Sequence, residues 1–230
     1  MRTIHEHGEI TLNRSPEMRR LDKAEVDALA RRLRSWSSPA EFGATLLDVE
    51  RVAGFYAVSQ GPLKIWREAF VAMSCAQLSH ANEVRLGEDP PDFLLRYPDH
   101  ERAFEIVDVW PEGRRLHEEY NRFADLRNSG QGIPIEHIDM EGELNALPTD
   151  LERQIRKKST KNYPPGLILV ADIHHAIFPG TDFPIEQNLA RIARTGLARF
   201  DEVWLRMSAH ILRITSQGST RMSPIPPVDY

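Results

Sequence analysis

The sequence predicts an α/β protein with a mixed sheet between two layers of helices, and three observations lead there. Residues 166–173, "GLILVADI", form an almost continuous apolar run, the mark of a strand covered on both faces. Upstream, "NEVRL", "DFLLRY" and "RAFEIVDVW" are short β-rich runs, the last two joined by the turn "PDHE". Helical periodicity precedes, separates and follows these strands, so helices fall on both faces of the sheet.

The elements follow in order. "LDKAEVDALARRLRSW" spaces Leu21, Val26, Leu29, Ala30 and Leu33 along one helical stripe with charge opposite. "PLKIWREAFVAMSCAQLSH" predicts a helix with Pro62 in its first turn. Its apolar positions Ile65, Phe70, Met73 and Leu78 wrap widely, as in a core helix. Of the three strands that come next, the second and third make a hairpin. In the third, Ala103, Glu105, Val107 and Val109 share one face, and Phe104, Ile106 and Asp108 share the other. "EGRRLHEEYNRFADL" predicts an exposed helix, and residues 128–148, with their Gly and Pro, a connection. "TDLERQIRKKSTKNY" predicts a helix capped by Thr149 or Asp150. After the buried strand come a helix at "IEQNLARIARTGLARF" and a terminal hairpin of "EVWLRMS" and "AHILRIT". The organisation expected is an N-terminal helical extension (1–61), an α/β core (62–218) and an irregular Pro-rich tail (219–230).

Composition narrows the setting. The chain has 230 residues, 41% hydrophobic and 27% charged, which is ample for one core. The single cysteine, Cys75, excludes an intramolecular disulfide and a cysteine-rich zinc site, and a reducing compartment is the simplest context. The start "MRTIHEHGEITLNRS" lacks the apolar core of a secretory signal, and "GLILVADIHHAIF" is too short to span a bilayer. A cytoplasmic chain with no membrane partner is expected. The net charge of −5 argues against general coating of nucleic acid, but not against a local basic face.

One residue sits badly in this scheme. Glu105 stands in the middle of an apolar strand, where an ionised carboxylate is costly unless paired or bound to a metal. Asp92 begins the neighbouring strand, and two adjacent strands can bring such carboxylates within a few ångströms. Paired oxygens of this kind make a hard-ligand site for Mg²⁺ or Mn²⁺. A second reading also fits: Asp92 caps a turn after Pro90–Pro91, and Glu105 pairs with an arginine across the sheet. Tandem His174–His175 points opposite ways on a strand, so joint ligation is not expected.

"PPDF" followed by "FEIVDV" resembles the signature of the PD-(D/E)xK nucleases, the restriction-endonuclease-like superfamily. The order of elements over about residues 62–215 resembles that fold too, a three-layer α/β/α mixed sheet. The resemblance implies that Asp92 and Glu105 hold Mg²⁺ or Mn²⁺, helped by the Val107 carbonyl and by Glu68 on the preceding helix. It implies a phosphodiesterase acting on nucleic acid, DNA more than RNA. The chain departs from the pattern where a lysine should stand two residues after Glu105, for that residue is Val107. Some members carry this cation on the following helix, which here holds Arg153, Arg156, Lys157, Lys158 and Lys161. Lys158, or Lys157, is the expected replacement, orienting the attacking water. Arg153, Arg156, Lys157 and Lys161 are expected on the nucleic-acid backbone. The rival expectation is a degenerate member that keeps the fold, lacks the chemistry and binds nucleic acid or a protein partner; a homodimer is compatible with either.

Overall fold

The computed structural model describes residues 18–132, 139–175, 183–207 and 210–223. The expected start of the N-terminal extension, parts of the 128–148 connection and most of the Pro-rich tail lie outside these residues. Seven helices run α1 (Lys23–Leu33), α2 (Pro39–Ala53), α3 (Tyr56–Ser59), α4 (Lys64–Leu78), α5 (Leu116–Asn128), α6 (Met140–Ser159) and α7 (Phe183–Ala193) among the described residues. The strands are β1 (Glu83–Leu86), β2 (Phe93–Arg96), β3 (Glu101–Val109), β4 (Leu167–Ile173), β5 (Glu202–Met207), β6 (His210–Thr215) and β7 (Gly218–Met222).

Local chemistry explains where the helices begin. Asp22 and Glu25 form a reciprocal capping box on α1, and Ser38 and Glu41 form one on α2, with Pro39 in its first turn. Apolar periodicity predicts no helix at α2, although the Ser38-Pro39-Ala40-Glu41 pattern is its start signal. Helix α6 begins at Met140 instead of near Thr149, so part of the expected connection is helical. Asp139 caps it by accepting from Gly142 N at 3.0 Å. Leu147, Leu151 and Ile155 then bury one stripe, and this packing outweighs the hydrogen bond lost at Pro148 inside the helix. At the other end, β7 replaces the expected irregular start of the tail by pairing antiparallel with β6.

The sheet runs in the order β1-β2-β3-β4-β5-β6-β7, with β3–β4 and β4–β5 parallel and the remaining pairs antiparallel. This is the mixed α/β sheet between helical layers that the sequence predicts. On one face, Phe93, Phe104, Ile106, Ile168, Val170 and Trp204 pack against α4 and the helices before it. Leu29 and Leu33 of α1 and Phe42 and Leu46 of α2 belong to this same cluster. On the other face, Val107, Val109, Leu169, Ala171 and Leu205 pack against α6 and α7. Strand β4 is buried throughout, as its unbroken apolar run demands. No helix among the described residues is long and apolar enough to cross a membrane.

Candidate metal centre

The turn between β1 and β2 places the first acid. Gly87 N donates to Asp92 O at 2.8 Å, and a Cβ at Gly87 would lie 2.0 Å from the Pro91 carbonyl oxygen, so the turn closes only around glycine. Asp92 N donates to Phe104 O at 2.9 Å, and the Asp92 carboxylate accepts from Ile106 N at 2.6 Å. The pairing Phe93↔Phe104 continues into this contact, so Asp92 stands across from Glu105. A carboxylate oxygen from each of Asp89, Asp92 and Glu105 lies within 4.8 Å of the others. The convergence expected of Asp92 and Glu105 is therefore present, with Asp89, overlooked in the sequence, as a third member.

Glu105 is 2% exposed, and the structure shows what meets it there. Its Oε1 accepts from Lys158 Nζ at 2.5 Å and from the Tyr163 hydroxyl at 2.8 Å. Its Oε2 is buried with no hydrogen-bond partner. The cation is a lysine from the next helix, not an arginine across the sheet. Tyr163, which follows α6, is held by Arg199, whose guanidinium donates to the carbonyls of Tyr163 and Lys161. Burial, and then the hydrogen bond to Glu105, raise the Tyr163 pKa, so the phenol remains a donor. Burial also raises Asp92, to about 7, against the pull of its Ile106 N–H; the nearby Glu105 and Glu68 charges add to the rise.

These acids line a cleft of about 300 Å³ between α4 and α6. From α4 come Lys64, Arg67 and Glu68; Glu68 pairs with Lys64 at 2.8 Å. From α6 and its end come Gln154, Lys157, Lys158 and Lys161. Arg153 and Arg156 are not in this wall. Arg153 pairs with Asp150 at 2.6 Å and Glu112 at 3.4 Å, and Arg156 with Glu152 at 2.9 Å. Val107 lines the cleft, but its carbonyl is on the wrong edge of β3. Ile106 N faces Asp92 while Val109 O faces β4, accepting from His174 N at 3.0 Å. Backbone groups of alternate residues point to opposite edges of a strand, so Val107 O faces β4 and Ile106 O faces the acids. The carbonyl suited to a metal is that of Ile106.

A second acidic group went unnoticed in the sequence. Asp108, Asp172 and Arg206 lie on the α4 face at the ends of β3, β4 and β5, joined by His174. His174 Nε2 is 3.1 Å from Asp108 and 2.9 Å from Asp172, and Arg206 Nη2 is 2.6 Å from Asp172 Oδ1, an ion pair off hydrogen-bond alignment. The imidazole stacks on Trp110 with ring centres 3.5 Å apart. Burial works against a charged His174, but the two carboxylates outweigh it and hold its pKa above the ordinary value. His174 and His175 follow the end of β4 at Ile173 and do not lie on the strand, yet they diverge: His175 turns the other way, to the buried Asp150 at 3.1 Å. Only register could have revealed this group, because its members are far apart in sequence.

The residues present suit a small divalent ion. Three carboxylates converge, and one of them, Glu105, keeps a buried oxygen that lacks a protein partner; a hard cation answers that need. Compared with known proteins, the chain matches no protein-family model, no curated protein and no solved structure.

Proposed function

We propose that this chain is a Mg²⁺- or Mn²⁺-dependent phosphodiesterase of nucleic acid, with DNA ahead of RNA on the strength of the family resemblance. The observation that carries the proposal is the partnerless Oε2 of Glu105, an acid that converges with Asp92 and Asp89, in a cleft with lysines on its rim. Asp92 and Glu105 would hold the ion, with Asp89 and the Ile106 carbonyl beside them. Such an ion, when bound, lowers the pKa of its water and stabilises charge on a phosphoryl group. The chain's own residues do the rest. Lys158 and Tyr163 fix Oε1, which leaves Oε2 turned to the ligand. Lys158 also brings positive charge to the place where a phosphate oxygen would gain negative charge. Lys157, Lys161 and Lys64 supply further cations for the backbone.

One observation favours a second reading. Lys158 at 2.5 Å already neutralises Glu105, and Val107 stands where the family has its lysine, as in a nucleic-acid or protein-binding module without chemistry. Titration with Mn²⁺ separates the two, followed by incubation of single- and double-stranded DNA and RNA with Mg²⁺ or Mn²⁺. Metal binding that disappears in Glu105→Gln and Asp92→Asn, with metal-dependent cleavage lost in both, supports the enzyme. Binding of nucleic acid with no cleavage under any of these ions favours the module.

A further inference from the structure

The cleft wall includes a half-buried guanidinium that enters no ion pair among the described residues. It belongs to Arg67, on α4, whose Nε is buried without a hydrogen-bond partner. Its neighbours in the cleft differ: Lys64 is held by Glu68 and Lys158 by Glu105. Keeping the Nε–H from water without an acceptor is costly, and the half-exposed remainder of the guanidinium is open to an anion. One helical turn on, Phe70 is 40% exposed. Residues three apart are neighbours on a helix surface, so Phe70 continues the line from Arg67. Trp66 stacks beside Phe70 at 5.9 Å, and the Arg206 guanidinium lies 5.4 Å from the Phe70 ring centre. Arg206 is anchored on Asp172, which shares His174 with Asp108, and Asp108 lines the cleft. A cationic and aromatic strip thus leads out of the acid cleft along α4.

We infer that this strip binds a single strand of nucleic acid flanking the phosphate in the cleft: Arg67 takes a backbone phosphate and Phe70, backed by Trp66 and Arg206, takes a base. The inference rests on the nucleic-acid reading above and adds the form of the substrate. Phosphates need a cation with free donors, which Arg67 has, and bases need an exposed π surface, which a paired base in a duplex cannot reach. An unpaired or frayed end satisfies both.

Fluorescence anisotropy of labelled oligonucleotides, single-stranded and duplex, measured on the full chain in EDTA over a salt series, tests this without requiring cleavage. Arg67→Ala is expected to reduce the slope of log K against log[salt] by about 0.7 on single strands, the loss of one phosphate contact. Arg67→Lys should restore that slope, and thermal melting should show all variants folded. Phe70→Ala is expected to weaken single-strand binding about tenfold and duplex binding less than twofold. An unchanged slope in Arg67→Ala overturns the phosphate contact. Equal losses on single strand and duplex in Phe70→Ala, or no loss on either, overturn the base platform. If wild type binds no oligonucleotide in EDTA, this inference falls; the nucleic-acid reading falls with it if Mg²⁺ or Mn²⁺ produces neither binding nor cleavage. If it binds single strands as described but cleaves none with Mg²⁺ or Mn²⁺, the strip stands and the catalytic reading falls.

Discussion

Two acidic groups sit on β3, one centred on Glu105 and the other on Asp108, and they are completed in opposite ways. Around Asp108 the protein supplies the countercharge itself: His174 bridges both carboxylates, and Arg206 closes on Asp172. Burial opposes ionisation of Asp172, yet the His174 hydrogen bond and the Arg206 charge prevail and lower its pKa. Around Glu105 there are three acids, and the ion pair that reaches their centre is Lys158 on Glu105. Each group keeps one buried oxygen without a hydrogen bond, but Asp172 Oδ1 has the Arg206 guanidinium at 2.6 Å, whereas beside Glu105 the acid Asp92 is pushed up to about 7. Two groups of like composition on one strand therefore do different things. The first is a joint whose Asp172 is held ionised, and the second holds Asp92 towards its protonated form.

The hardest way to break this contrast is at Arg206. Arg206→Met strips the buried Asp172 of its guanidinium and should cost about 4 kcal/mol in urea unfolding, with no recovery on adding Mn²⁺. Lys158→Met leaves Glu105 similarly exposed to an apolar surround and should cost about 3 kcal/mol in EDTA. Here Mn²⁺ should recover most of the loss, because the ion replaces the missing charge. Equal responses of the two variants to Mn²⁺ would erase the distinction between joint and site.

Asp92 sharpens the contrast through pH. Its raised pKa means that folding favours the protonated acid, so its contribution is full below the ordinary carboxyl range and is lost as pH rises towards 7. In EDTA the melting temperature should fall between about pH 4 and pH 7 for this reason. Asp92→Asn, which keeps an oxygen for Ile106 N, should remove the fall, gain at most about 4 kcal/mol at pH 8 and lose the Mn²⁺ response. Gly87→Ala is the mildest probe, because it moves Asp92 without changing any charge. Displacement of the Pro91 carbonyl should cost about 2 kcal/mol and weaken Mn²⁺ binding in calorimetry, while His174 keeps its titration by NMR.

Glu105 also shows how far the sequence could be read. An acid within "AFEIVDV" announces that a cation must meet it, and the basic run after Thr149 offers the candidates; Lys158 is the one that arrives. Removing Glu105 would be expected from the sequence to spare stability, yet it would strand both Lys158 and Tyr163. Tyr163 and Arg199 could not be seen beforehand, because an aromatic near a helix end carries no periodic signal. Arg67 was hidden for a related reason. On a wide-faced helix its spacing does not say whether a carboxylate lies opposite.

What the sequence by itself determined is whatever depends on periodicity and on single costly residues. It set the mixed α/β sheet, the buried β4, the hairpin that presents Asp92, and the need of Glu105 for positive charge. Tertiary structure alone decided which partners cross between elements. The parallel register of β3, β4 and β5 put Asp108, Asp172 and Arg206 side by side, and the alternation of edges along β3 turned the Ile106 carbonyl, not that of Val107, towards the acids. The same packing brought Lys158 onto Glu105 and, among the described residues, no acceptor onto the Arg67 Nε. The physical reason is that a charge's partner is chosen by distance in space, within a few ångströms, and chain spacing does not encode that distance.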